Sequence, residues 1–123
     1  MKEYANKQKL WIASPFPGMN EIIGFARNNK YGSAQQKKIH TDRVVWLAKN
    51  LQPIKKPADF LFSWVEKNKR RDPDNIMAGQ KFIFDGLVTA GILQNDGWSY
   101  VKSISHLFEV GEMDGVMVEI VEV

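Results

Sequence analysis

Between Ala58 and Val65, apolar and aromatic side chains take every second position. Ala58, Phe60, Phe62 and Trp64 alternate with Asp59, Leu61, Ser63 and Val65. Period two with aromatic enrichment specifies a strand, because successive side chains of a strand point to opposite faces. This strand delivers the chain to a basic cluster, Lys67, Lys69, Arg70 and Arg71, and then to Asp72-Pro73-Asp74-Asn75. A helix is expected from about Asn75 to Ala90, with Asp74 as N-cap and Gly91 as the residue just past the end.

The other elements follow from the same signals. Lys9 to Ser14, with Trp11 and Ile12, reads as a first strand. Two prolines and a glycine make Ser14 to Asn20 irregular. Asn28 to Ser33 reads as an exposed loop, and a first helix runs from an N-cap at Ser33 to about Asn50. Its apolar stripe comprises Ile39, Val45 or Val44, Leu47, Ala48 and Leu51. Pro53 and Pro57 bracket a linker. Ser99–Phe108 and Val116–Val123 are expected to close the fold as a hairpin through Gly111, Asp114 and Gly115. The expected fold is α+β, a single domain over residues 1–123, with a mixed sheet and two helices in the order β-α-β-α-β-β.

Composition narrows the chemistry. A chain of 123 residues suits one domain with its own core. It has no cysteine, which excludes disulfides, thiolate metal sites and cysteine nucleophiles and fits a reducing cytoplasm. Neither a long apolar run nor a signal-peptide pattern after Met1 is present, so neither a membrane span nor export is expected. The net charge of +3 hides an asymmetry. Residues 1–71 carry 15 Lys or Arg against 5 Asp or Glu; residues 72–123 carry 2 against 9. A basic half suits a phosphate-binding surface, since neutralising phosphates releases counterions.

At the junction of the halves stand two carboxylates one residue apart. Acids this close repel unless a cation or proton separates them. On one continuous helix, Lys81 and Asp85 would lie within roughly 20° of the direction of Asp74, with Ile76, Ile83, Leu87 and Ala90 opposite. Carboxylates are hard ligands suited to Mg²⁺ or Mn²⁺, ions that retain water and also bind phosphate. Such a site hydrolyses phosphodiesters. The same pair also suits a helix N-terminus, through capping and the helix dipole.

These residues closely resemble the RusA family of Holliday junction resolvases of bacteria and their phages. The shared pattern is Arg70-Arg71-Asp72-Pro73-Asp74-Asn75, then Lys81, then Phe84-Asp85-Gly86-Leu87-Val88-Thr89-Ala90-Gly91, then Asn95-Asp96. Pro15-Phe16-Pro17 with Asn20 resembles the family's opening, so the likeness covers nearly the whole chain. It implies that Asp72, Asp74 and Asp96 are catalytic, Mg²⁺-binding carboxylates, that Lys81 is the catalytic lysine, and that Asp85 is supporting. The stretch from Asp74 to Lys81 is longer than in the best-known member, so Lys81 is placed by counting back from Asp85. Asn95 stands where the family commonly has the first acid of a pair.

The resemblance implies a cytoplasmic, bacterial or phage-encoded endodeoxyribonuclease of DNA recombination and repair. It would cut four-way junction DNA by paired symmetric nicks, as a homodimer matched to a two-fold target. Lys67, Lys69, Arg70 and Arg71 are the first candidates for DNA contact; Lys37, Lys38, Arg43, Arg27 and Lys30 follow. Phe16 or Tyr31 could stack on an unpaired base. His40 and His106 are structural or surface residues on this reading, and Trp11, Trp46, Trp64 and Trp98 are core or interface aromatics. Two alternatives use the same residues: a non-catalytic branched-DNA-binding protein, and a broader flap or fork nuclease.

Overall fold

The alternating strand sits inside a four-stranded mixed sheet of order β1-β4-β2-β3. The computed structural model describes residues 7–13, 16–28 and 30–123, with residues 28 and 30–33 as backbone only. Its elements are β1 (Lys7–Ala13), α1 (Met19–Asn28), α2 (Lys30–Ala48), β2 (Ala58–Glu66), α3 (Pro73–Met77), α4 (Gln80–Thr89), β3 (Val101–Val110) and β4 (Gly115–Glu122). The fold is α+β, as the sequence implies. Among the described residues, no helix is long and apolar enough to cross a membrane.

Alternation in β2 corresponds to burial. Ala58, Phe60, Phe62 and Trp64 are buried, and together with Leu10, Ile12, Val116, Val118 and Ile120 they form one apolar sheet face. Phe84 of α4 meets that face edge-on, 5.0 Å from the Phe60 ring and 5.6 Å from the Phe62 ring. Burying each such side chain contributes roughly 1.5–3 kcal/mol. α2 presses Val44 and Ala48 inward; Val44, not Val45, is fully buried, as is Ala48, and Ile39 is half exposed. Of the four tryptophans only Trp64 enters the core, while Trp11, Trp46 and Trp98 are exposed.

The closing strands do not form a hairpin. β3 pairs parallel with β2, and β4 pairs antiparallel with β2 on its other side. The connection between them therefore arches over the end of β2. Gly111 N–H donates to Glu66 O at 2.9 Å, and Lys67 N–H donates to the Asp114 carboxylate at 2.8 Å. A turn signal says where a chain reverses, but not whether another strand lies between its arms.

The helices also differ from expectation. Asn28 and Lys30 to Ser33 are helical where a loop is expected, so Ser33 is not a cap; residue 29 lies outside the described residues. Of the expected irregular stretch, Ser14 and Pro15 lie outside the described residues, Phe16 to Gly18 is neither helix nor strand, and Met19 and Asn20 already open α1. The expected second helix is broken into α3 and α4 at Ala78–Gly79. There the hydrogen bonds tighten to i→i+3, with Gly79 N–H to Ile76 O and Phe82 N–H to Gly79 O both at 3.1 Å. A β-carbon on Gly79 would lie 2.8 Å from Phe16 Cβ and 3.1 Å from the Trp64 ring. Gly79 thus packs closely on the core at the break. α4 ends as expected at Gly91, whose φ of +77° favours glycine. Gly91 N–H donates to Val88 O and Ile92 N–H to Leu87 O, a Schellman motif.

Candidate metal and nucleic-acid site

At the C-terminal end of β2 the chain is tied down on both sides of the paired aspartates. Arg71 makes two parallel bonds to Glu66, Nε to Oε1 at 2.9 Å and a terminal nitrogen to Oε2 at 3.0 Å. Its third bond goes to the Phe16 carbonyl at 2.9 Å, and Glu21 lies 3.8 Å away. Beyond the aspartates, the Asn75 carboxamide accepts the Asn20 N–H at 3.0 Å. Gly18 allows this contact, since a β-carbon there would fall 2.5 Å from the Asn75 oxygen. The two ends of the family-like motif therefore meet through backbone and side chain.

Asp72, not Asp74, occupies the cap position of α3. It is extended, with φ −75° and ψ 152°, and Pro73 begins the helix. The Asp72 carbonyl accepts from Asn75 and Ile76 N–H, both at 3.0 Å, but its side chain makes no capping hydrogen bond. Asp74 lies in the first turn. Among the described residues, neither carboxylate forms an ion pair or side-chain hydrogen bond, and both are exposed. Two acids are thus held on a fixed backbone with their oxygens facing solvent.

Lys81 opens α4 at the same end of the sheet. The break between α3 and α4 removes the single helical line expected from Asp74 through Lys81 to Asp85. Lys81 instead lies 3.8 Å from Asp85, which Lys37 of α2 also approaches at 3.6 Å. Asp85 is a half-buried link between two helices.

Asp96 is elsewhere. Its loop is fixed to the start of β2 by Ile54 N–H to Ile92 O at 2.7 Å and Ala58 N–H to Tyr100 O at 2.9 Å. Asp72 lies by contrast beside Phe108 and Val110, at the far end of β3. The ten residues of β3 separate the two ends by about 30 Å. No three His, Asp or Glu side chains among the described residues are grouped to hold a metal ion. Asp72 and Asp74 are adjacent; Asp96 of the same chain does not join them.

Of the basic candidates, Lys67, Lys69 and Arg70 are exposed and make no ion pair among the described residues. They stand beside the paired acids. Arg71 is committed to Glu66 and the Phe16 carbonyl, a structural tie. Lys38 pairs with Asp42 within α2, and Arg27 is exposed in the last turn of α1. Arg43 turns inward, its guanidinium 4.3 Å over the Phe16 ring, and burial lowers its pKa. Phe16 itself is only 3% exposed and stacks on Phe82, so it cannot insert into DNA. The Lys30 and Tyr31 side chains lie outside the described residues.

Two features escape a reading of the sequence. Glu66 anchors Arg71 across five positions, a pairing signalled only by a lone acid at the end of a strand. A hollow of about 360 Å³ also opens beside Asp72, lined on its apolar side by Trp64, Ile76 and Phe108 and bordered by Lys69 and Glu109. Residues from three distant stretches build it, and no local signal announces it. In comparisons with known proteins, the chain matches no family model and no curated protein.

Proposed function

We propose that this chain is a Mg²⁺-dependent, structure-specific endodeoxyribonuclease of the RusA type, resolving four-way DNA junctions by paired symmetric nicks as a homodimer. The observation that carries the reading is the state of Asp72 and Asp74. They are fixed by the Arg71 and Asn75 ties, unused by capping or ion pairing among the described residues, and flanked by the exposed Lys67, Lys69 and Arg70. Acids needed only for the helix would spend their oxygens on its free N–H groups.

Two hard carboxylates with free oxygens fit Mg²⁺, and Mn²⁺ as a substitute, because such ions take one or two protein carboxylates and complete their shell with water and phosphate. Asp72 and Asp74 would hold the ion, which would supply acidification of a bound water and charge stabilisation at the attacked phosphate. Lys67, Lys69 and Arg70 hold the neighbouring phosphates and set the register of the strand. Lys81 orients the attacking water or neutralises the departing oxygen. Asp96 enters from a second copy, since its own chain keeps it at the other end of β3. The bacterial or phage setting and the cytoplasmic location belong to this same reading.

The test is cleavage of an end-labelled mobile four-way junction with Mg²⁺ or EDTA, beside linear duplex. Symmetric paired nicks that require Mg²⁺ and spare the duplex are expected. One observation favours a second reading, a non-catalytic branched-DNA-binding protein: the three acids are not gathered within one chain. Tight junction binding without cuts would establish it. Equal cutting of flaps and forks would establish the broader nuclease.

A further inference from the structure

The hollow beside Asp72 has a rigid floor and an open wall. Trp64, 3% exposed, and Ile76, 4% exposed, make an apolar floor anchored in the core. Phe108, 38% exposed, and Val110, 50% exposed, make the wall at the end of β3. Phe108 also ends a row of rings set nearly parallel. The planes of Phe62 and Trp64 differ by 15°, those of Trp64 and His106 by 18°, and those of His106 and Phe108 by 20°. Packing within the chain thus orients a flat aromatic tier whose last ring is open to solvent.

The polar border is equally specific. Arg71 and Glu66 adjoin the hollow but are spent on each other. Asp72 and Lys69 remain, and neither forms an ion pair or side-chain hydrogen bond among the described residues. A volume of about 360 Å³ lies at the small end of ligand pockets and suits one ring system, not a run of stacked rings. An occupant that answers every wall has flat apolar faces and carries a phosphate. The faces meet Phe108 and Trp64; the phosphate meets Lys69 and a cation on Asp72.

We infer that the hollow receives one unstacked nucleobase of the DNA strand whose phosphate lies at Asp72, with Phe108 as the ring on which it stacks. The placing of that phosphate rests on the nuclease reading. A base within a duplex must leave its stack to enter, at a cost that is least where pairing is already lost. A branch point supplies such bases, and stacking on an aromatic ring offsets the cost for any of them. The hollow therefore ties the position of the cut to an unstacked base, which linear duplex does not offer.

The test is photocrosslinking of the full chain, in EDTA, to four-way junctions carrying iodouracil at single positions beside the branch point or within an arm. Iodouracil stacked on an aromatic ring links to it on irradiation, and mass spectrometry of the digested product identifies the residue. A link to Phe108 is expected from a position beside the branch point and from none within the arms. Phe108→Leu keeps an apolar side chain and removes the ring. It is expected to lower the preference for junction over linear duplex by about tenfold, with unchanged far-UV circular dichroism. Links that avoid Phe108, or a Phe108→Leu chain that keeps its full preference, would overturn the inference. A link to Phe108 without Mg²⁺-dependent cutting would establish the base site and sink the nuclease reading. Mg²⁺-dependent cutting of junctions without that link would leave the nuclease reading standing and sink the base site.

Discussion

The Trp64 indole N–H donates to Nδ1 of His106 at 2.9 Å, joining the buried face of β2 to the open edge strand. The bond fixes the tautomer: Nδ1 accepts, so the proton of the neutral ring is on Nε2. An imidazolium has no acceptor and would break the bond. Burial lowers the His106 pKa below its usual value, and it also lowers that of His40, with help from Arg43 and partial opposition from Glu21. Both histidines therefore bind protons more weakly folded than unfolded. Their contribution is present above the unfolded pKa near 6.5 and is lost as pH falls through the lower folded value. Thermal unfolding should show a falling Tm between about pH 7 and pH 5. His40→Gln with His106→Gln should flatten that slope; an unchanged slope would remove both histidines from the account.

Much of the frame was legible in residues whose neighbours in sequence are also their neighbours in physics. The alternation of Phe60, Phe62 and Trp64 gave β2, and Gly91 marked the end of α4, because strand pleat and left-handed backbone are local properties. The break at Ala78–Gly79 was not legible, and the residue that Gly79 packs against there, Phe16, is more than sixty positions away. The absence of a hairpin was equally hidden: Gly111 to Gly115 turns the chain, but β2 lies between the strands it joins. For the candidate site, the pattern named Asp72 and Asp74 together. It could not show that Arg71 answers Glu66, or that Asp96 lies at the far end of β3.

Two helical glycines should respond to alanine with opposite signs. Gly86 sits where α4 crosses α2, and a β-carbon there would be 2.5 Å from Val44 and 3.2 Å from the Thr41 carbonyl. Helix propensity alone would make alanine favourable by about 1 kcal/mol. Overpacking between two helices costs about 1–3 kcal/mol and should win. Gly24 in α1 has nothing within 4 Å, so Gly24→Ala should gain about 0.5–1 kcal/mol. Urea denaturation of the two variants reads both signs directly.

Arg71 and its basic neighbours should separate by what they change. Arg71→Ala leaves Glu66 without its bidentate partner and frees the Phe16 carbonyl, at a cost of about 1.5–3 kcal/mol in stability. Replacing Lys67, Lys69 and Arg70 together with alanine should leave stability nearly unchanged, because all three are exposed. On the nuclease reading that triple variant should bind four-way junctions more weakly. Each lost phosphate contact reduces the salt slope by about 0.9, so three should make it shallower by nearly 3. An unaltered slope in a fluorescence-anisotropy salt titration would place the DNA surface elsewhere.

The separation of Asp72 from Asp96 leads to a sharper test. If the acids of one site come from two copies, Asp72→Asn and Asp96→Asn should each be inactive alone. Mixed after reversible dissociation, they form hybrid dimers in which one site keeps Asp72 from one chain and Asp96 from the other. The second site in each hybrid carries both asparagines. Random pairing makes half the dimers hybrid, so about a quarter of the wild-type sites should return. Each hybrid holds a single working site, so the restored product should be one nick per junction instead of two symmetric nicks. Sites contained within one chain would recover nothing on mixing, since every copy would carry its own defect. Gel analysis of an end-labelled junction distinguishes these outcomes by both yield and strand, and the strand pattern cannot be produced by incomplete refolding.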